Sequence, residues 1–473
     1  MKQLKYIMVL LLAIGISSCE DDFLEPAPTG AVSSSTFYSN EEELESGIIN
    51  MYDGIQGIND TRADSNHAIQ VEFYVTEMRS DNTRTKSSEG EAAQFESFNI
   101  ETTNGLVADY YRSFYNVIFR SNIVLQNLDV ASDQNRGRFE GEAKFVRAYA
   151  YFNLVRLFGD VPLVDRVIKP SETEIQFTRI PTATVYELIV SDLESAVANL
   201  DNTYKNRASR AAAQTLLAKV YLTQGTNYNQ AQQLLEAVMS SGFSLESNFK
   251  DVFYTELNDE IIFSIGFLPD VNDDSQNFSA EWLNAVGRTS GVNYVTTEAR
   301  AALDALGGDR TQFSYRQDVI QPSQFQVAKY LPNGDDDLGI AATSNDPTLA
   351  GNDWIVLRYA DVLLMHVEAI MAGAQETSVQ AALNSFQLIR NRAGLTDIVT
   401  NITKQELLDE RRVELAFENH RFFDLVRFNV AQDVLSAFSD ANGLGYSATD
   451  LLLPIPQVER GLSNGLLTQN PGY

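Results

Sequence analysis

The chain has 473 residues, with 64 acidic against 35 basic side chains and a formal net charge of −29. A charge of that sign repels nucleic-acid phosphates and anionic membrane surfaces, so neither is an expected partner. The length suits two or three ordinary domains or one large repeat-built domain, and 26 Phe, 20 Tyr and 2 Trp argue against disorder beyond a tether and a few loops.

The first 18 residues read as a signal peptide. Lys2 and Lys5 supply the positive end, Tyr6 to Ile16 the apolar stretch, and Gly15, Ser17 and Ser18 the small residues before Cys19. That stretch is too short to span a bilayer, which needs about 20 residues. Cys19 is the only cysteine, so no disulfide forms within the chain. A nucleophilic role would need a histidine and a folded pocket, which a leader does not offer. Ile16-Ser17-Ser18-Cys19 resembles a bacterial lipobox, and Cys19 is read as the lipidation site. Cleavage there removes two lysines and no acid, which takes the net charge from −29 to −31. Residues 19–35, rich in Pro, Ser, Thr and acids, form the lipid anchor and tether, and residues 36–473 a single domain.

Helical periodicity then recurs along the chain. Asn40 to Ile55 opens on three glutamates and places Leu44, Ile48, Ile49 and Tyr52 on one face. Leu106 to Leu128, Gly137 to Phe158, Val185 to Leu200 and Ala211 to Thr223 follow. In Leu216 to Gly242 a helix carrying Ala218 and Tyr221 ends near Gly225. A second, starting by Tyr228, turns Ala231, Leu234, Leu235 and Val238 inward. Small residues facing large ones across two close helices are the logic of a tetratricopeptide unit. Arg358 to Ala372 with Val379 to Arg392 reads as a second pair, and Glu406 to Glu418 with Phe422 to Phe438 as a less regular third. The fold class is therefore mainly α, a scaffold of tetratricopeptide-like helical pairs. Two long irregular insertions, 57–105 and 251–352, are rich in Asn, Asp, Ser, Thr and Gly and are expected to carry the binding site.

Gly141 to Val164, Leu357 to Ala369, Glu410 to Asn429 and the ending from Leu451 to Tyr473 resemble, in that order, the SusD/RagB family of nutrient-binding outer-membrane lipoproteins of Bacteroidetes. The resemblance covers essentially the whole chain. It implies about four tetratricopeptide-like units, no catalysis and no cofactor, and a lipid-anchored position on the outer face of the outer membrane. It also implies an oligosaccharide or polysaccharide ligand and a SusC-like TonB-dependent transporter as partner. Glu20, Asp21 and Asp22 resemble the surface-export signal of these bacteria.

Most charged motifs read as framework. Arg411, Arg412, Glu414, Arg421, Asp424 and Arg427 interleave both signs and suggest an ion-pair network between helices. His67, His366 and His420 lack zinc spacing, and adjacent acids such as Asp335-Asp336-Asp337 solvate loops; no metal site is expected. Sugar binding needs an aromatic plane for the ring's C–H face and a few polar groups for its hydroxyls. Asp274 to Tyr294 has this composition: Trp282, Phe278 and Tyr294 as platforms, with Asn277, Asn284 and Arg288 as hydrogen-bonding groups. Asp81, Asn82 and Arg84 are candidates from the first insertion, through its resemblance to the family's polar contacts. Trp354, directly before a helix, is expected in the core as a hydrophobic staple. A starch-binding member of the family has a richer tryptophan surface, so identical glucan specificity is not implied. A binder of peptides or glycoprotein fragments on the same scaffold, and a glycoside hydrolase, are the alternative readings.

Overall fold

The computed structural model describes residues 37–60, 66–85, 89–282, 293–318 and 321–473. Cys19 and the leader and tether lie outside the described residues, as do Asn284 and Arg288. The longer helices, in chain order, are α1 (Glu41–Gln56), α2 (Gly105–Gln126), α3 (Asp133–Phe158), α4 (Thr182–Asn199), α5 (Arg210–Gln224) and α6 (Tyr228–Met239). They continue with α7 (Thr297–Leu306), α8 (Tyr359–Met371), α9 (Gln380–Arg392), α10 (Lys404–Glu414), α11 (Arg421–Arg427) and α12 (Ala431–Asn442). The strands are β1 (Thr83–Arg84), β2 (Val161–Pro162), β3 (Arg179–Ile180), β4 (Ile261–Ile265), β5 (Tyr294–Val295), β6 (Tyr315–Gln317), β7 (Phe325–Val327), β8 (Trp354–Arg358), β9 (Glu376–Thr377) and β10 (Ile402–Thr403). They form antiparallel two-stranded ladders, β1 with β5, β2 with β3, β4 with β8, β6 with β7 and β9 with β10.

The helices pack as four consecutive pairs, α1/α2, α3/α4, α5/α6 and α8/α9, joined through α2–α3, α4–α5 and α6–α8 contacts. The first insertion lies within the first pair and the second lies between the third and fourth. Both therefore project from one continuous helical frame.

Local chemistry explains the helix boundaries. Asn40 caps α1 by accepting from Glu43 N–H at 3.1 Å, and Ser209 caps α5 by accepting from Ala212 N–H at 3.1 Å. Gly225 ends α5 at φ 65°, a left-handed turn that costs glycine little. Thr403 and Glu406 form a capping box at the start of α10.

The apolar face of α1 loses Ile49 from its sequence reading and gains Met51 and Ile55. Leu44, Ile48, Met51, Tyr52 and Ile55 face the core, while Ile49 is 52% exposed. From Phe139 onward α3 is buried almost all round, as befits a central helix. It approaches α4 closely at Gly141, where a Cβ would come within 2.9 Å of Leu200. Arg147 of α3 then clasps Asp192 of α4 with two 2.8 Å bonds and also donates to Asn122 and the Asp165 carbonyl.

The third expected helix pair is broken. After α10 the chain turns through Phe417 and Asn419 at positive φ, forms the short α11, and breaks again at Asn429, φ 57°. Asn tolerates that left-handed conformation where other residues resist it.

A buried ion network ties this region to the second insertion. Glu414 accepts from Arg310 and Arg358 and pairs with Arg392, while Glu418 binds Arg358 and Lys329. Arg411 bridges Asp361 and Asp424, and Arg427 bridges Asp424 and Glu368. The interleaved arginines and acids thus bind one another, with hydrogen-bond partners that repay desolvation.

Among the described residues no helix is long and apolar enough to cross a membrane.

Candidate functional site

The structure places both tryptophans in one aromatic knot. Trp282 is 1% exposed, with its ring centroid 5.1 Å from Tyr330, 5.7 Å from Phe73, and 6.4 Å from both Phe278 and Trp354. Phe278 is 3% exposed and meets Trp354 edge-on at 5.3 Å. The expectation that these rings offer open stacking faces is corrected: Phe73, Tyr330 and Trp354 occupy them. Edge-to-face geometry satisfies aromatic quadrupoles, which makes the knot a packing unit. Trp354 is in the core as expected, but by opening strand β8 opposite Ile265 and not as a helix staple.

Asp81 and Asn82 are also framework. Asp81 accepts from Arg421 at 2.7 and 3.0 Å and pairs with Arg412 at 2.9 Å. Burial alone would push its carboxyl up, but the two guanidinium groups hold it well below the usual range. Asn82 donates to Glu77 at 3.0 Å and accepts from Arg412 at 3.0 Å. These residues fasten the first insertion to the C-terminal helices, and neither presents a free polar edge. Asn277 is half-buried and donates to Glu281 at 3.0 Å, one helical turn on.

Arg84 and Tyr294 behave differently. Although 210 positions apart in the chain, they are direct partners across the β1–β5 ladder. Both are partly exposed. Arg84 is steered by Glu96 at 2.8 Å and Asn442 at 2.7 Å. Burial raises the Tyr294 phenol above its ordinary value, partly offset by the Arg84 charge, so it stays an O–H donor at neutral pH. Strand β5 also lies against β7, whose hairpin with β6 brings Phe325 within 5.8 Å of Tyr315, edge to face. Arg300 of α7 stacks over Phe325 at 3.8 Å. Phe325, Tyr315 and Arg300 are partly exposed as well.

The two insertions therefore meet in a short run of strands carrying aromatic rings and two arginines held by neighbours. Such a surface can stack an apolar ring face and donate to hydroxyls. Phe325, Tyr315 and Arg300 escaped the sequence reading. The available signal was the pair of Tyr- and Phe-bearing segments Tyr315–Gln317 and Phe325–Val327, which alternate as a hairpin should. Among the described residues no group of three or more His, Cys, Asp or Glu side chains is placed to hold a metal ion.

Comparison with known proteins gives a consistent result. A model of the SusD family matches residues 335–473, and one described as starch-binding associating with outer membrane matches residues 22–222. The chain is 27% identical to SusD-like protein P2 of Formosa agariphila, over 100% of this chain and 99% of that protein. Among solved structures it is similar to a laminarin binding SusD-like protein, with a TM-score of 0.75 and 27% identity over 92% of this chain and 100% of that one. Surface glycan-binding protein A from Bacteroides thetaiotaomicron, solved in complex with laminarihexaose, shares the fold. Its TM-score is 0.76, at 21% identity over 91% of this chain and 100% of that one.

Proposed function

The chain belongs to the SusD/RagB family, and from that premise we propose that it is a cell-surface glycan-binding lipoprotein. It captures an oligosaccharide or polysaccharide and hands it to a SusC-like TonB-dependent transporter. The observation that carries this reading is the Arg84–Tyr294 pairing, which joins both insertions into one partly exposed aromatic surface. The laminarin binding relative supports a glucan as the ligand class. Cys19 holds the protein to the outer membrane by lipid, and passage of the captured sugar inward across that membrane depends on the partner channel, not on this chain. Binding rests on Tyr294, Phe325 and Tyr315 as ring platforms, with Arg84 and Arg300 at the edge; catalysis plays no part.

The test is affinity electrophoresis of the mature protein through gels containing laminarin, starch, xylan or mannan, run beside a reducing-end assay on the same polysaccharides. Retardation by at least one glycan without release of reducing ends is the expected result. Release of reducing ends would favour a hydrolase, and retardation by none would remove the glycan reading.

A further inference from the structure

His67 lies in the first insertion, and its ring is held between two acceptors. Nδ1 lies 2.5 Å from the Asp109 carboxylate of α2, and Nε2 lies 3.1 Å from the Asp60 carbonyl. The Asp60 carboxylate is 3.6 Å from Nε2. A carbonyl and a carboxylate can only accept, whereas a neutral imidazole has one N–H to give. Both contacts are therefore satisfied together by the imidazolium, which donates from both nitrogens. An imidazole is far more basic than a carboxyl, about 6.5 against about 3.9 in ordinary peptides, so the shared proton stays on His67. The Asp109 bond holds His67 above that ordinary value, against the effect of burial. His366 is placed differently: its Nδ1 faces the Ser385 hydroxyl, which can donate as well as accept, and burial lowers it.

The residues around this ring form a seam between the two insertions. The His67 N–H donates to Ser113 Oγ of α2 at 3.2 Å, and its carbonyl accepts from Gln70 N–H at 2.9 Å. The Gln70 side chain bridges the carbonyls of Gly57 and Ser275, at 3.3 Å each. Asn59, beside Asp60, donates to Ser275 Oγ and the Thr348 carbonyl, at 2.9 Å each. Ile58 N–H donates to the Asn66 carbonyl at 2.7 Å. Ser275 and Thr348 belong to the second insertion, so the segment fastened by His67 is also the one that reaches across to it.

The charged groups facing the ring are the Asp109 carboxylate from α2 and the Asp60 carboxylate from residues 57–60. On α1, Asp53 is taken up by Arg120 at 2.5 Å, and the single turn Ala68–Val71 carries no charge. We propose that His67 is a pH-sensitive clasp on the seam between the two insertions, closed while its ring is charged. Loss of the second N–H leaves either the Asp60 carbonyl or the Asp109 carboxylate facing a lone pair. A group held above its ordinary value stabilises the closed seam fully below about pH 6.5. That contribution is lost as pH rises through the higher value of the closed state. The inference stands whether or not the loop surface binds glycan.

The test is NMR of the mature protein labelled at its three histidines, with His67→Gln assigning one signal. At pH 7 both His67 nitrogens should be protonated, and the ring should titrate above about pH 6.5 and above His366 and His420. Asp109→Asn, which keeps a hydrogen-bonding group without the charge, should lower that titration by about one pH unit or more, tenfold in proton affinity. Amide exchange at Ile58 and Gln70, corrected for the intrinsic effect of pH, should quicken above pH 6.5 by up to about tenfold per unit. That quickening should be lost in His67→Gln, with melting curves at pH 6 showing that both variants fold. Should His67→Gln not fold, the Asp109→Asn titration decides alone. A His67 ring neutral at pH 7, a titration unmoved by Asp109→Asn, or equal quickening in His67→Gln would each overturn the proposal.

Discussion

Replacing Trp282 by alanine removes the largest fully buried side chain among the described residues. Truncating a buried Trp costs about 3–5 kcal/mol, the loss of transfer energy plus the cavity left behind. Here the edge-on contacts with Phe73 and Trp354 disappear too, while removal of the unpartnered indole Nε1 returns about 1 kcal/mol of desolvation cost. The net expectation is a loss near the lower end, about 3 kcal/mol. At about 2.1 cal/mol/K of unfolding entropy per residue over roughly 440 residues, or about 0.9 kcal/mol/K, Tm falls by about 3 °C. Scanning calorimetry reads that shift, and affinity electrophoresis on the same sample reads glycan retention, which should stay within about twofold of wild type. An unchanged Tm together with abolished retention would refute the reasoning and return Trp282 to the ligand.

Asp192→Ala leaves Arg147 buried without its bidentate partner and should cost about 3–5 kcal/mol, read as a lower urea midpoint at unchanged slope. Burial pushes the Glu72 carboxyl up to about 7, so the fold favours its protonated form; that stability is fully present below about pH 4.5 and is lost as pH rises through 7. Glu72→Gln, which cannot ionise, should therefore flatten the fall in Tm between pH 5 and pH 8 and melt higher than wild type at pH 8. One group supplies at most about 1.4 kcal/mol per pH unit in that window. A Tm at pH 8 equal to or below wild type would contradict this. Cys19→Ala, expressed in a Bacteroidetes host, should lose fatty-acid labelling and leave the membrane fraction; a variant that stays bound through a high-salt wash would remove the anchor.

The helical frame was legible because its signals are local. Periodicity, the Asn40 and Ser209 caps and the Gly225 stop depend on residues within a few positions of one another. The α5/α6 and α8/α9 pairs were found that way. The break at Asn429 was not, because a helix-compatible pattern continues on both sides and only tertiary packing selects the left-handed turn there.

The site was legible in part. Two of the expected residues, Arg84 and Tyr294, are brought together by strand pairing that no local pattern encodes. Trp282 and Phe278 sit in a polar stretch that suggests exposure, yet partners more than 40 residues away in the chain, Phe73, Tyr330 and Trp354, bury them. Asp81 and Asn82 were candidates through the family resemblance of their segment, and no local pattern reveals Arg412 and Arg421, which consume them from the other end of the chain.

Ligand is proposed to bind where the two insertions meet. Isothermal titration of the retained glycan into wild type and into Tyr294→Ala with Phe325→Ala tests it most directly. Aromatic anchors at the centre of a binding surface cost about 2 kcal/mol or more when truncated, roughly 30-fold in affinity. The double variant should fold with a wild-type melting curve and bind at least about 30-fold more weakly. Binding at wild-type affinity by the folded double variant would contradict it.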